Sequence, residues 1–228
     1  MILLDKSFFE LYTNTRMNPP AIAIDGPAAS GKSTVAKLIA KELGFTFINT
    51  GAMYRAVTWF VLQQGIDPAD TEAVKATLPG IPLSFGKDGA VSTVMCEGRV
   101  LNEELTLQST NDNVSTIAAI PEVRALLVEK QREYNTAEPV VMEGRDIGTV
   151  VFPNTPYKYF VTASEEVRAA RRAAQGLTDS IAERDRKDSA RACAPLTKAE
   201  DAKLVDTSDM TIDQVVASIA ADIRSRLA

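Results

Sequence analysis

The eight residues Gly26-Pro-Ala-Ala-Ser-Gly31-Lys32-Ser33 constrain this chain more than any other stretch. They match G-x-x-x-x-G-K-[ST], a pattern whose meaning depends on its flanks. Before it, Ala21-Ile-Ala-Ile-Asp25 is a short apolar run bounded by Pro19-Pro20 and Gly26-Pro27. That is the signature of a strand buried on both faces of a parallel sheet. After it, Val35, Leu38, Ile39 and Leu43 recur at helical spacing up to Gly44, a C-terminal stop. A strand, a glycine loop and a helix in this order turn successive backbone amides toward one anion, and the helix N-terminus adds partial positive charge. Gly26, Pro27, Ala28, Ala29, Ser30, Gly31, Lys32, Ser33 and Thr34 are therefore the candidate nucleotide-binding stretch. Lys32 is placed to reach the β- and γ-phosphates of ATP, and the Ser33 hydroxyl to ligate Mg2+. Lys32 is expected on a solvent-facing loop.

The remaining pattern predicts an α/β fold, a P-loop parallel sheet wrapped by helices on both faces. Phe45–Ile48, Pro139–Met142, Tyr157–Val161 and Lys203–Val205 read as further buried strands. A helix is expected from Ala52 to Gln64 and another after Pro121, which suits a first helical position. Ser164, with Glu165 and Glu166 behind it, and Thr211-x-x-Gln214 read as helix caps. Between about 67 and 105 the texture changes. Asp67-Pro68 is expected to start a short helix. Three β-like runs, Ile81–Phe85, Val91–Cys96 and Arg99–Leu101, are then separated by turn signals. This reads as a small antiparallel insertion. Residues 1–18 read as an N-terminal tail, disordered and cut off from the first strand by Pro19-Pro20, with Met17 as an alternative start. The rest, 19–228, reads as one domain.

Composition narrows the chemistry. The chain has no histidine. That removes His-ligated zinc and Ser-His or Cys-His pairs, and leaves carboxylates, arginine, lysine, amides and a bound ion to do any catalysis. The net charge of −5 does not suit a nucleic-acid binder. Two cysteines without a CxxC pair fit a reducing, cytoplasmic setting. No apolar run approaches the roughly 18 residues of a membrane span.

P-loops serve motors, switches and kinases. The guanine-reading Asn-Lys-x-Asp sequence is absent. Arginines are what the chain offers: Arg55, Arg124, Arg145, and the cluster Arg184, Arg186 and Arg191. Arg145 lies just beyond a strand end, where an open α/β sheet binds its ligand, and a guanidinium suits a phosphate oxygen pair. Arg168, Arg171 and Arg172 read as surface residues, since Glu165 and Arg168 form an i,i+3 pair. The residues alone leave a kinase of a small acceptor, a nucleotide-binding regulator and a structural P-loop domain all open.

Four stretches stand in order: the P-loop, Thr50-Gly-Ala-Met-Tyr-Arg55, Gly144-Arg-Asp-Ile-Gly-Thr149, and Glu183-Arg-Asp-Arg-Lys-Asp-Ser-Ala-Arg191. Together they resemble the signature of bacterial cytidylate kinases, over about residues 20–227. The resemblance implies an ATP-dependent (d)CMP kinase, cytoplasmic and monomeric, with a nucleotide-binding insertion at about 67–105 and a short helical lid at about 164–191. It implies that Arg55, Arg145 and Arg191 hold the acceptor phosphate. Ser115, Arg124 and Asp146 would face the cytosine, and Arg184 and Asp188 the sugar. Thr50 would lie on the same acceptor side. Lys32, Arg145, Arg184 and Arg191 would be the catalytic charges. Two departures stand out. Asn49 occupies a position where that family usually has Asp, and the stretch from Ser164 to Arg191 is several residues short.

Overall fold

The computed structural model describes residues 19–174 and 181–227. The expected tail and residues 175–180 of the expected lid lie outside the described residues. Eight strands form one sheet among the described residues: β1 Ala21–Asp25, β2 Thr46–Asn49, β3 Leu83–Asp88, β4 Val91–Cys96, β5 Arg99–Val100, β6 Val140–Gly144, β7 Tyr157–Thr162 and β8 Lys203–Asp206. The order is β3-β4-β2-β6-β1-β7-β8, with β5 on β4. The strands β2, β6, β1, β7 and β8 run parallel. The central pair holds the register Ile22↔Val141 and Asp25↔Gly144, so the P-loop and the Gly144–Thr149 stretch leave the sheet side by side.

The helices are α1 Lys32–Leu43, α2 Thr50–Gln63, α3 Thr71–Thr77, α4 Gln108–Ile117, α5 Pro121–Glu133, α6 Glu165–Ala174, α7 Ile181–Ser189 and α8 Ile212–Leu227. Their ends follow local chemistry. Gly44 caps α1 in the left-handed conformation, φ 72°. Thr211 and Gln214 exchange hydrogen bonds of 2.9 and 3.3 Å as a capping box for α8. Helix α3 begins at Thr71 and not at Asp67, because Asp70 Oδ1 accepts from Ala73 N at 3.0 Å while Asp67 closes the preceding turn on Ala69 N.

One face of the sheet packs on α1 and α8 through Val35, Ile39, Val215 and Ile219. The other carries Ile48, Met142, Ile147 and Val128. A third cluster joins α2, α4 and α5 to the insertion through Val57, Ile117, Leu127 and Val94. The insertion's strands are antiparallel as expected, β3 on β4 and β5 on β4. They are not separate from the sheet, however. Phe47 pairs with Val91 in parallel, and Asn49 N donates to Ser92 Oγ at 3.1 Å, so β4 continues the sheet beyond β2.

Candidate active site

The carboxyl ends of β1, β2 and β6 open into one crevice whose far wall is α7 and the loop after it. Nothing larger than hydrogen fits at Gly26: a Cβ there would lie 2.0 Å from the Val161 carbonyl oxygen. The loop then turns back, and Lys32 opens α1. Contrary to the solvent-facing expectation, Lys32 is 6% exposed. Its Nζ donates to Pro27 O at 3.1 Å and stands 3.9 Å from Glu143 Oε2. Burial, with repulsion from Arg145, pulls the ammonium down to about 7 against the attraction of Glu143. Ser33 Oγ donates to Glu143 Oε1 at 2.8 Å. Ala28, Ala29, Gly31, Lys32, Ser33 and Thr34 line the crevice, whereas Gly26, Pro27 and Ser30 shape the loop from behind.

Of the three arginines read as solvated or salt-bridged surface residues, Arg168 and Arg171 are half-buried and Arg172 is buried. Arg168 pairs with Asp185 and donates to Ala28 O at 3.1 Å. Arg171 donates to Ser30 O at 3.2 Å and to Thr207 Oγ1 at 3.0 Å. Arg172 is buried and lines the crevice. Their partners come from the P-loop, α7 and the loop after β8, none of which an i,i+3 reading of one helix can supply.

Across from the P-loop, the crevice gathers every residue expected on the acceptor side: Thr50, Arg55, Ser115, Arg124, Arg145, Asp146, Arg184, Asp188 and Arg191. Asp188 is the hub, 2% exposed. It accepts from Ser115 Oγ at 2.9 Å, from Arg145 Nε at 2.9 Å and from Arg191. Burial pushes its carboxyl up, but Arg145 and Arg191 outweigh burial and hold it below the ordinary value. Arg191 Nε is buried with no hydrogen-bond partner among the described residues, a donor open to a ligand. Burial and the nearby Arg145 and Arg55 push Arg184 down to about 10. A bound dianion would relieve exactly that kind of like-charge crowding. Arg55 Nε donates to Asn111 Oδ1 at 3.4 Å. Deeper in, Arg124 and Asp146 form a buried ion pair; Arg124 also donates to Ala118 O at 3.1 Å and lies 5.4 Å over the Tyr54 ring.

Sequence reasoning missed several supporting residues. Asp25 ends β1, is 5% exposed, and accepts from the backbone amides of Ile147 and Gly148, each at 2.8 Å. Burial outweighs these two bonds and pushes its carboxyl up to about 7. It thereby fixes the turn that carries Arg145 and Asp146. Glu143 ties Lys32 and Ser33 to β6, and its carbonyl accepts from Thr50 Oγ1 at 2.7 Å. Asp25 and Glu143, charged residues at the ends of two otherwise apolar strands, were the available signal. Asn49 is a helix cap: its Oδ1 accepts from Ala52 N at 3.1 Å.

A phosphate-binding loop facing a pocket of paired arginines on a doubly covered parallel sheet defines a P-loop kinase of a small anionic acceptor. The cytidylate kinase family model matches residues 22–225. A cytidylate kinase of Lactiplantibacillus plantarum is 46% identical over 216 residues, which are 90% of this chain and 95% of that one. Those of Clostridium botulinum strain Langeland and Limosilactobacillus reuteri are 45% and 43% identical, covering 90% and 89% of this chain and 97% and 94% of theirs. The chain belongs to the cytidylate kinase family.

Proposed function

We propose that this chain moves the γ-phosphoryl group of ATP onto the phosphate of CMP or dCMP, giving the corresponding diphosphates. The observation that carries this reading is a single crevice with an amide-built cradle at one end and, at the other, an Asp188-centred arginine cluster beside the buried Arg124–Asp146 pair. An acceptor phosphate is already nucleophilic near neutral pH, since its second pKa is about 6, so no general base is needed. That agrees with a chain lacking histidine. Catalysis is then alignment and charge neutralisation of the transferring group by Lys32, Arg145, Arg184 and Arg191.

Arg55, Arg145 and Arg191 hold the acceptor phosphate, and Thr50 shapes that wall. Ser115, Arg124 and Asp146 read the base. A carboxylate that accepts from the cytosine amine and an arginine that donates to its ring acceptors complement cytosine and not uracil. Arg184 and Asp188 meet the sugar. Residues 164–191 serve as a lid that excludes water when both nucleotides are bound. Mg2+ takes oxygen ligands and usually keeps waters and substrate phosphates in its shell. The Ser33 hydroxyl beside the buried Glu143 carboxylate fits it. When bound, the ion would supply positive charge to offset that of the phosphates, held on the protein side by Ser33 and Glu143. No helix among the described residues is long and apolar enough to cross a membrane, and Cys96 and Cys193 are both free, in keeping with a cytoplasmic enzyme.

A coupled ADP-release assay across CMP, dCMP, UMP, AMP and shikimate tests the proposal. Turnover with CMP and dCMP well above the others is expected. Equal turnover with UMP or shikimate, or acceptor-independent hydrolysis alone, contradicts it.

A further inference from the structure

The P-loop contains a backbone conformation that its sequence does not favour. Ala29 has φ 57°, one of three non-glycine residues at positive φ among the described residues. An L-residue with a Cβ is disfavoured there, and such positions persist when their surroundings over-determine them. The surroundings are visible. Ala28 N, the amide before the strained residue, donates to Asp185 Oδ1 at 3.0 Å. Ala28 O accepts from Arg168 NH1 at 3.1 Å. Arg168 and Asp185 pair with each other, so each holds the other in place. On the far side, Ser30 O accepts from Arg171 NH1 and from Thr207 Oγ1, both at 3.2 Å. The peptide group before Ala29 and those one residue further out on each side are thus held by side chains of α6, α7 and the loop after β8.

We infer that Arg168 and Asp185 are positioning residues that hold the Ala28–Ala29 segment of the P-loop in the conformation that cradles the ATP phosphates. They belong to the 164–191 segment, yet they act on the donor loop rather than on the acceptor. Both polar atoms of Ala28 are engaged by one ion pair, so the pair fixes the orientation of this residue's peptide groups as well as its distance. A neutral side chain at either position leaves the other charge unpaired and one peptide atom released. The loop then relaxes toward a negative φ at Ala29, and the amides around it no longer converge. Arg145 and the Arg124–Asp146 pair sit on other elements, and Asp188, three residues along α7 from Asp185, keeps its own partners Ser115 and Arg145.

This inference rests on the reading of the loop as an ATP site, and a double-mutant comparison separates the two. KM for ATP and for CMP are measured for wild type, R168M, A29G and R168M/A29G, with each preparation's folded fraction fixed by its melting curve. ATP turnover by wild type tests the site reading on its own. R168M is expected to raise KM for ATP about tenfold, the cost of one disfavoured alanine φ, with KM for CMP within about twofold. Glycine tolerates positive φ freely, so in the A29G background the same substitution is expected to raise KM for ATP less than about threefold. An equal rise in both backgrounds overturns the inference and assigns Arg168 a structural role. An unchanged or lowered KM for ATP in R168M also overturns it, since Asp185 and Arg168 would then be irrelevant to the cradle or competing with the phosphate. Should R168M not fold, D185L, which removes both the ion pair and the acceptor for Ala28 N, carries the same four-way comparison.

Discussion

In the proposed reading, an anion on the P-loop side of the crevice meets main chain, the amides of Ala29 to Ser33 at the start of α1, and one buried lysine with Glu143 beside it. On the opposite side it meets side chains, each arranged in advance around a carboxylate: Arg145 and Arg191 on Asp188, Arg124 on Asp146. The first design recognises a polyphosphate common to many nucleotides by backbone shape. The second distinguishes acceptors, because buried charges already paired with each other leave donors and acceptors in fixed directions, and a mismatched base leaves them unsatisfied. The two sides meet at the adjacent ends of β1 and β6, where Asp25 of one strand grips the turn that follows the other.

The largest effect should come from the P-loop side. Lys32→Ala is expected to lower kcat by about two to three decades by removing charge stabilisation of the transferring phosphoryl group. Since Lys32 is buried, a stability change is also expected, and a melting curve should accompany the steady-state assay. Retention of more than a few per cent of activity would remove Lys32 from the mechanism.

Next is the hub of the other side. Asp188→Asn leaves Arg145 and Arg191 buried without their shared counter-charge, and breaking a buried pair costs about 3–5 kcal/mol. A fall of about a hundredfold in kcat/KM for CMP and a lower melting temperature are expected, with KM for ATP moving little. A matching rise in KM for ATP would mean that the two sides are not separable.

A smaller effect is expected at the base. Arg124→Met or Asp146→Ala should reduce the CMP-to-UMP ratio of kcat/KM by roughly tenfold, since removing one member takes away part of the penalty that a wrong base incurs. Because the two residues pair with each other, both variants should also lose stability. A lower melting temperature with an unchanged ratio would leave the pair a purely structural one.

The P-loop side was legible because its residues are contiguous: nine positions, a strand before and a helix after, with local physics that runs from glycine placement to amide direction. The acceptor residues were legible one at a time through their resemblance to a known pattern, but their pairing was not. Arg191 stands three residues from Asp188, but no spacing shows that Ser115 and Arg145 converge on the same carboxylate from two other segments. Arg168 misled for the same reason. Glu165 three residues earlier offers a plausible local partner, while its actual partners, Asp185 and the Ala28 carbonyl, are distant in sequence. Asp25 read only as the end of a strand, because its two hydrogen bonds depend on β1 and β6 being neighbours. The insertion's strands announced themselves, but their attachment to the main sheet rests on the Phe47–Val91 pairing and the Asn49–Ser92 hydrogen bond, which have no local signal.

The smallest predicted effect concerns protons. Burial and the neighbouring Arg145 pull the Lys32 ammonium down to about 7, so its charge is expected to fall as pH rises through that value. A bound polyphosphate raises its pKa, so ATP binding at pH 8 should take up a proton that binding at pH 6 does not. KM for ATP should accordingly rise as pH climbs through 7 toward 9. Titration calorimetry in buffers of different ionisation enthalpy measures the uptake, and its absence at pH 8 would mean that Lys32 stays charged in the empty site.

The separation of the two sides can be read directly by binding, without turnover. Isothermal titration of ATP and of CMP, each alone, into wild type, K32A and D188N gives six affinities. The account predicts that K32A loses ATP affinity at least tenfold while keeping CMP affinity within about threefold, and that D188N does the reverse. Parallel losses of both nucleotides in either variant would contradict a crevice with a backbone-built donor end and a side-chain-built acceptor end.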